Sequence, residues 1–360
     1  MPAFISGWGN CLPPAVMTNA DLGTFLDTSD EWIVVRTGIR QRRISHVGMV
    51  QLAHVAAARA LAAAGKAPDD FDAIIVATAT PDLLIPNVAS RVQLELGNST
   101  AAALDVNVGC CGFVYGLALA RGLVSTGVNE RIVLIGAERL SSMLNWTERD
   151  SAILFGDGAG AVVIEAGSES NDAILGAHLA CNPQPGAALM SPDFGTPRYP
   201  LGPRKHPTIQ FDGREVFRNA VPGMVEASIR ALAKTTLELD DIDLVIPHQA
   251  NLRIVDAIAK KLTLSDEQVF TNLHNYGNTS AASIPIALTE ALEQGRIKPG
   301  ARLLLPAFGA GLTSAAAVVE WGDRVTPMEK SPAELSACPQ TALELIAPAL
   351  EFQRSVKNTT

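Results

Sequence analysis

Basic residues are in short supply in this sequence. Lysine and arginine number 28 against 37 aspartates and glutamates, a net charge of −9. With no basic excess to neutralise phosphates, general nucleic-acid binding is excluded, although a local basic patch can still meet an acidic partner. Long hydrophobic runs are missing too: none approaches the roughly 20 apolar residues that a bilayer crossing needs. The first residues, "MPAFISGWGNCLPP", carry no Lys or Arg ahead of their apolar positions, so no signal peptide is expected and the expected compartment is the cytoplasm. The five cysteines (Cys11, Cys110, Cys111, Cys181 and Cys338) lack the pairing of a metal site. Adjacent Cys110 and Cys111 are poor disulfide partners. Cys11, Cys181 and Cys338 read as small hydrophobes.

What is present is a compact globular composition, 48% hydrophobic and 18% charged over 360 residues, enough for about two domains. Apolar β-branched runs alternate with segments of helical period, which predicts an α/β architecture. Strands are expected at 72–79, 102–108, 131–138, 159–166, 243–248 and 301–308. Helices are expected at 49–65, 112–127, 252–262 and 283–295. The two halves resemble each other. "APDDFDAIIVATATP" (67–81) parallels "LELDDIDLVIPHQAN" (237–251), and "GVNERIVLIGAE" (127–138) parallels "IKPGARLLLPAFG" (297–309). This spacing predicts an internal duplication, residues 1–170 and 171–324, with equivalent strand ends meeting about a pseudo-twofold axis. Residues 182–208 are rich in Pro and Gly and read as a lid, pocket wall or dimer contact. Residues 325–360 carry no motif; part of them reads as an interrupted surface helix.

Cys110, His248 and Asn278 all fall at or just beyond strand ends, where open α/β sheets place ligands. In "LDVNVGCCGFVYGLALA" a strand passes into a helix at Cys110. Unpaired helix amides and the dipole there favour a thiolate, so the junction predicts a lowered thiol pKa and a nucleophile. A packed core cysteine fits the same position. His248 after a strand is by itself more often structural. Asn278 in "YGNTSAAS" is by itself ordinary turn chemistry. The "FGAG" turn (308–311) can aim amides at an anion. Asn251 is a plausible N-cap for the helix after it.

Several long motifs carry a resemblance. "TNADLGTFLDTSDEWIVVRTGIRQRRI" (18–44), "DVNVGCCGF" (105–113), "FGDGAGAVV" (155–163), "PHQANLRIVDAIAKKL" (247–262) and "GNTSAASIPIAL" (277–288) together resemble the β-ketoacyl-acyl-carrier-protein synthase III family of the thiolase-like superfamily. The resemblance spans about residues 3 to 322. It implies a thiolase-like fold, two duplicated α/β halves packed as a five-layer α-β-α-β-α sandwich, and a homodimer.

It also implies a decarboxylating Claisen condensation. Cys110 takes an acyl group from acyl-CoA, while the amides of Cys110 and Ala310 hold the oxyanion. A malonyl thioester, expected to be malonyl-acyl carrier protein, then loses carbon dioxide. His248 and Asn278 steady the enolate, which attacks the acyl group to give a 3-oxoacyl product. No metal or redox cofactor is required. Cys111 is expected to pack, leaving the turn in another direction. Non-decarboxylating thiolases use a second cysteine near the last Gly-rich turn, and "FGAGLTS" has none.

The resemblance places coenzyme A near Thr28, Trp32, Arg36, Arg149, Phe217 and Asn251, with Gly213 on the pantetheine path. Trp32 would stack on adenine against Arg149, and Arg36 would face phosphate. Arg218, Arg253, Lys260 and Lys261 would form a basic patch for an acidic carrier protein, or simply a solvated helix face. Where acetyl-using relatives carry a large aromatic, this sequence has Ile85, a position contributed to the acyl pocket across the dimer. Ser314 stands where many relatives have another aromatic. Both departures suggest a primer longer than acetyl. A related enzyme handing the Cys110-bound acyl group to a non-malonyl acceptor is the alternative. A non-catalytic acyl- or CoA-binding module would have no reason to keep Cys, His and Asn together.

Overall fold

The computed structural model describes residues 1–167, 173–183, 188–191 and 208–357. The chain begins with β1 (Ala3–Cys11), β2 (Ala15–Thr18), α1 (Asn19–Gly23), α2 (Asp30–Thr37) and β3 (Gln41–Ile44). It continues through α3 (Met49–Ala63), β4 (Ala73–Ala77), α4 (Val88–Glu95), β5 (Ala102–Val106) and α5 (Gly112–Ser125). β6 (Arg131–Arg139), α6 (Arg149–Ala152) and β7 (Asp157–Ala166) follow, then β8 (Ile174–Cys181), β9 (Leu189–Met190) and β10 (Gln210–Phe211). The remainder is α7 (Gly213–Leu232), β11 (Leu244–Val245), α8 (Leu252–Lys261), α9 (Leu273–Tyr276) and α10 (Ser283–Glu293), then β12 (Arg302–Gly309), β13 (Thr313–Glu320) and α11 (Ala342–Lys357).

The two main sheets repeat one topology. The first runs β1-β7-β6-β4-β5, and the second β8-β13-β12-β11. β6 pairs antiparallel with β7 and parallel with β4; β12 pairs antiparallel with β13 and parallel with β11. The place of β5 is held in the second sheet by a single parallel bridge, Val245 to Val269. The strands predicted at 72–79 and 243–248 therefore occupy equivalent positions, as do those at 131–138 and 301–308. β11 is shorter than expected because Pro247 and Pro306 have no amide to donate to the ladder, though the Ile246 and His248 amides still donate to the Leu304 and Pro306 carbonyls at 2.9 and 2.8 Å.

Continuous apolar runs arise because these strands are covered on both faces. In β4, Ala73 and Ile75 pack with Phe113, Leu117, Ile284 and Leu288 from α5 and α10, whereas Ile74 and Val76 pack under Leu52 and Ala56 of α3. In β12, Leu303 and Leu305 share the central core, and Leu304 turns outward to Ala220, Met224 and Ile258 of α7 and α8. The order is thus helix, sheet, helix pair, sheet, helix, the five-layer thiolase-like sandwich. α5 and α10 lie between the sheets, so whatever precedes their N-termini sits near the centre of the molecule. Among the described residues, no helix is long and apolar enough to cross a membrane.

Of the 182–208 excursion, 184–187 and 192–207 lie outside the described residues. Its two described flanks pair as β9 and β10. In the C-terminal segment, residues up to 341 are not helical. α11 then runs continuously through Pro348 and lays Ala342, Ile346 and Leu350 on a core that includes Trp146 and Phe155.

Candidate active site

Cys110 sits in a short 3-10 turn, Gly109–Cys111, that joins β5 to α5. The turn sends the two thiols apart. Cys111 is wholly buried in the central core, whereas Cys110 borders two adjoining cavities. The tip of the β12–β13 hairpin closes against this turn. A Cβ on Gly309 would stand 2.9 Å from the Cys110 amide nitrogen, so only glycine allows so close an approach. A Cβ on Gly109 would be 3.4 Å from the Ala310 nitrogen, which places the backbone of 110 beside that of 310, as an oxyanion hole requires.

The smaller cavity is bordered by Cys110, His248 and Asn278 together, with Asn251, Phe155 and Phe308 completing its wall. His248 is 2% exposed. Its Nδ1 lies 2.7 Å from Ser283 Oγ. That oxygen also accepts from the Gln249 amide at 3.4 Å, and its hydroxyl proton is available to Nδ1. Nε2 then carries the ring's proton. It is buried with no partner and is the donor left for a ligand. Burial lowers the imidazole pKa to about 3, so the ring is neutral.

Asn278 is fixed from both sides of its peptide. Its amide donates to the Leu154 carbonyl at 2.8 Å, and its carbonyl accepts from the Gly156 amide at 3.0 Å. Its Oδ1 accepts the Ser280 amide at 2.8 Å. The side-chain NH2 therefore faces away and makes no hydrogen bond among the described residues. A neutral imidazole N–H and an amide N–H, both in a dry site beside a thiol, form a pair of donors suited to an enolate oxygen.

The larger cavity, about 410 Å³, runs from Cys110 and Ala310 past Val108, Leu140, Phe155 and Leu189. Its lining is mostly apolar. Ser191 and Ile209, which stand on either side of residues 192–207 in the chain, contribute to its wall. A third cavity, about 400 Å³ and more polar, is bordered by Asp27, Thr147 and Arg149, and shares Ile209 with the larger one. Beside it, Trp32 carries the guanidinium groups of Arg36 and Arg149 over its ring at 4.1 and 4.2 Å. The Thr28 hydroxyl is buried and unpartnered. The structure thus gathers Thr28, Trp32, Arg36 and Arg149 at one mouth, but the places over the indole meant for adenine are held by the two arginines.

Other expectations fare differently. The thiol pKa, expected to be lowered, is pushed up to about 12, because burial penalises the thiolate more than the Ser280 hydroxyl and the Cys110 amide relieve it. Ile85 is 83% exposed and borders none of the cavities beside Cys110, so it walls no acyl pocket within its own chain. Ser314 faces the other way along β13, toward Gly223 and Phe308, and is absent from the cavity that Thr313 borders. Asn251 does cap α8, accepting the Arg253 amide at 2.9 Å. Gly213 opens α7 on the surface. Phe217 is 42% exposed and borders none of these cavities. Arg218 on α7 and Arg253, Lys260 and Lys261 on α8 are exposed, and among the described residues none pairs with a carboxylate. Ser283, Ser280 and Glu138 were not singled out in the sequence. The signal for Glu138 was a carboxylate closing the otherwise apolar run "IVLIGAE".

Comparison with known proteins agrees with this geometry. Residues 104–183 match the family described as 3-Oxoacyl-[acyl-carrier-protein (ACP)] synthase III, and 232–321 match its C-terminal family. The chain is 51% identical over 351 residues to a beta-ketoacyl-[acyl-carrier-protein] synthase III 2 of Vibrio cholerae, covering 97% of this chain and 96% of the relative. It is 47% identical over 328 residues to a beta-ketoacyl-[acyl-carrier-protein] synthase III of Caldanaerobacter subterraneus, covering 89% and 98%. The crystal structure of 3-oxoacyl-(acyl carrier protein) synthase III from Pseudomonas aeruginosa superposes with a TM-score of 0.84 at 40% identity, covering 90% of this chain and 99% of that one.

Proposed function

Because the chain belongs to the 3-oxoacyl-[acyl-carrier-protein] synthase III family, we propose that it condenses an acyl-CoA primer with malonyl-acyl carrier protein, releasing carbon dioxide and a 3-oxoacyl product for fatty acid biosynthesis. The observation that carries this reading is the single cavity shared by the Cys110 thiol, the unpartnered His248 Nε2 and the Asn278 amide. Cys110 attacks the thioester carbonyl, and the amides of Cys110 and Ala310 receive the oxyanion. Malonate then loses its carboxylate, His248 and Asn278 donate to the enolate oxygen, and the carbanion takes the acyl group from Cys110. The two thioesters are the only reactants these steps need, so no cofactor enters them. Intact-mass measurement after incubation with acyl-CoA tests the reading. A mass gain that Cys110→Ser abolishes and Cys111→Ser keeps is expected, followed by carbon dioxide release with malonyl-acyl carrier protein. No adduct with any primer would remove it.

We further assign a primer longer than acetyl, on the 410 Å³ apolar cavity at the thiol. Faster acylation by acetyl-CoA than by octanoyl-CoA would refute that. The basic residues of α7 and α8 are assigned to the acidic carrier protein, and Thr28, Trp32, Arg36, Arg149 and Asn251 to coenzyme A, with one arginine leaving the indole as adenine arrives. Gly213 and Phe217 would meet the pantetheine only where it passes the surface of α7. The active form is assigned as a homodimer, supported by the unpaired edge of β5 and by exposed Leu84 and Ile85, 75% and 83% accessible. Ile85 would then complete the acyl cavity of the other subunit. The free cysteines fit a reducing, cytoplasmic setting.

A further inference from the structure

The penultimate residue of β6 is a carboxylate that these steps do not use. Glu138 is fully buried and meets no cation among the described residues. Its partners are neutral donors: the Ala79 amide at 3.2 Å to both oxygens, the Thr80 hydroxyl at 2.6 Å to Oε2, and the Ser280 hydroxyl at 3.0 Å to Oε1. The Thr78 hydroxyl stands at 3.4 Å from Oε2. Ser280 holds a left-handed backbone, φ +48°, unusual for a residue with a side chain. That conformation turns its hydroxyl to Glu138 beside the Cys110 thiol, whose ionisation the hydroxyl eases, and Ser280 and Cys110 border the same cavity. Since the one hydroxyl proton of Ser280 points to Glu138, a lone pair is left for the thiol S–H.

We propose that Glu138, acting through Ser280, accepts the Cys110 proton as the thiol attacks the acyl thioester and returns it when the condensation frees the sulfur. This rests on the acylation reading above. In the first half-reaction the Cys110 S–H bond breaks and an O–H bond forms at Ser280, while the former Ser280 proton moves to Oε1 of Glu138. The sulfur electrons form the C–S bond, and coenzyme A leaves as a thiolate that takes its proton from water. In the second, the carbanion displaces the Cys110 sulfur, and the proton on Glu138 returns by the same two hops. The acyl-enzyme therefore holds a neutral Glu138 beside its apolar chain.

The electrostatics agree. Burial raises the Glu138 carboxyl to about 7, suited to proton exchange near neutrality, whereas neutral His248, lowered to about 3, is the poorer acceptor. Among the described residues, Cys110 is the ionisable group that faces Glu138. Arg139, next on β6, turns toward Asp82 at 3.7 Å, and Asp157, its opposite on β7, is taken by Ser45 and Ser141.

The test is the single-turnover acylation rate of Cys110 by acyl-CoA between pH 5 and pH 9, read by intact mass. Wild type should show a rise with its inflection near neutrality. Glu138→Gln should lose the inflection and slow acylation by roughly 10²-fold or more. Glu138→Asp, which keeps an acid, should retain the inflection at a lower rate. Ser280→Ala should behave like Glu138→Gln while sparing the other bonds of Glu138. Ser280→Gly does so without backbone strain, and decides the matter if Glu138→Gln does not fold. Profiles of the serine variants that coincide with wild type overturn the proposal and leave the acylation reading intact. A wild-type Cys110 that no acyl-CoA modifies sinks that reading instead.

Discussion

Cys110 in the resting enzyme is a neutral thiol in a dry wall, and its reactivity depends on the groups around it. The motif resemblance made Cys110, His248 and Asn278 legible, because those residues stand in long stretches that keep their order. The thiol's electrostatics were not legible, since the sequence shows the helix start but not the depth of burial that overrides it. Two expectations follow at this scale. Asn278→Ala removes one of the two donors proposed for the enolate and should slow decarboxylation of malonyl-acyl carrier protein by on the order of 10²-fold while Cys110 still acylates; equal loss in both half-reactions would argue for a wider structural role. His248 is a base whose folded pKa, about 3, lies below its ordinary 6.5. The stability gained by keeping it neutral is complete above 6.5 and drains as the pH falls toward 3. At pH 5 the wild type should have lost about 2 kcal/mol that His248→Gln does not lose. Denaturant midpoints of the two proteins at pH 7 and pH 5 check this, and parallel losses would show that another group carries the slope.

Among the elements, those buried on two faces were read most easily. β6 and β12 announce themselves as unbroken apolar runs, and α3, α5, α8 and α10 by their period. β1 and α7 were missed for a shared physical reason. "AFISGWGNC" carries glycines because β1 lies so close to α3 that a Cβ on Gly7 would stand 2.1 Å from the Ala60 carbonyl. α7 holds Pro222, followed by Gly223 against Phe308. Turn-like composition there reflects close packing rather than a turn. At the site, the same closeness makes the β12–β13 hairpin a positioning element. Gly309→Ala should push Ala310 off the Cys110 turn and lower acylation by roughly 10-fold or more with the fold retained, as near-ultraviolet dichroism would report. On α8, Arg253, Lys260 and Lys261 lie seven and eight residues apart and so share one side of the helix. Reversing their charge should raise KM for malonyl-acyl carrier protein, most at low salt, and leave acylation by acyl-CoA unchanged. A matching defect in acylation would move those residues from docking to the cavity.

Seen whole, the molecule brings Cys110 from its first half and His248 and Asn278 from its second to one shared cavity: α5 follows Cys110, and α10 follows Asn278. The first 324 residues account for that arrangement, and the solved Pseudomonas aeruginosa relative covers 90% of this chain while being matched almost end to end. The extension beyond has its own attachment. Ala342, Ile346 and Leu350 of α11 bury against Trp146, and Gln353 both accepts the Trp146 amide at 2.7 Å and donates to the Leu144 carbonyl at 2.8 Å. Those contacts brace the stretch leading to Arg149, which donates to the Asp27 carbonyl at 2.9 Å and covers Trp32 at the polar mouth. Losing two large apolar side chains from such a contact forfeits on the order of 3–6 kcal/mol of local burial. A chain ending at residue 324 should therefore keep Cys110, His248 and Asn278 in place, yet hold coenzyme A less firmly. KM for acyl-CoA should rise several-fold, kcat should change little, and hydrogen exchange across 140–152 should quicken. If truncation instead abolished kcat while leaving that exchange unaltered, the extension would be acting on the chemistry and not on the mouth.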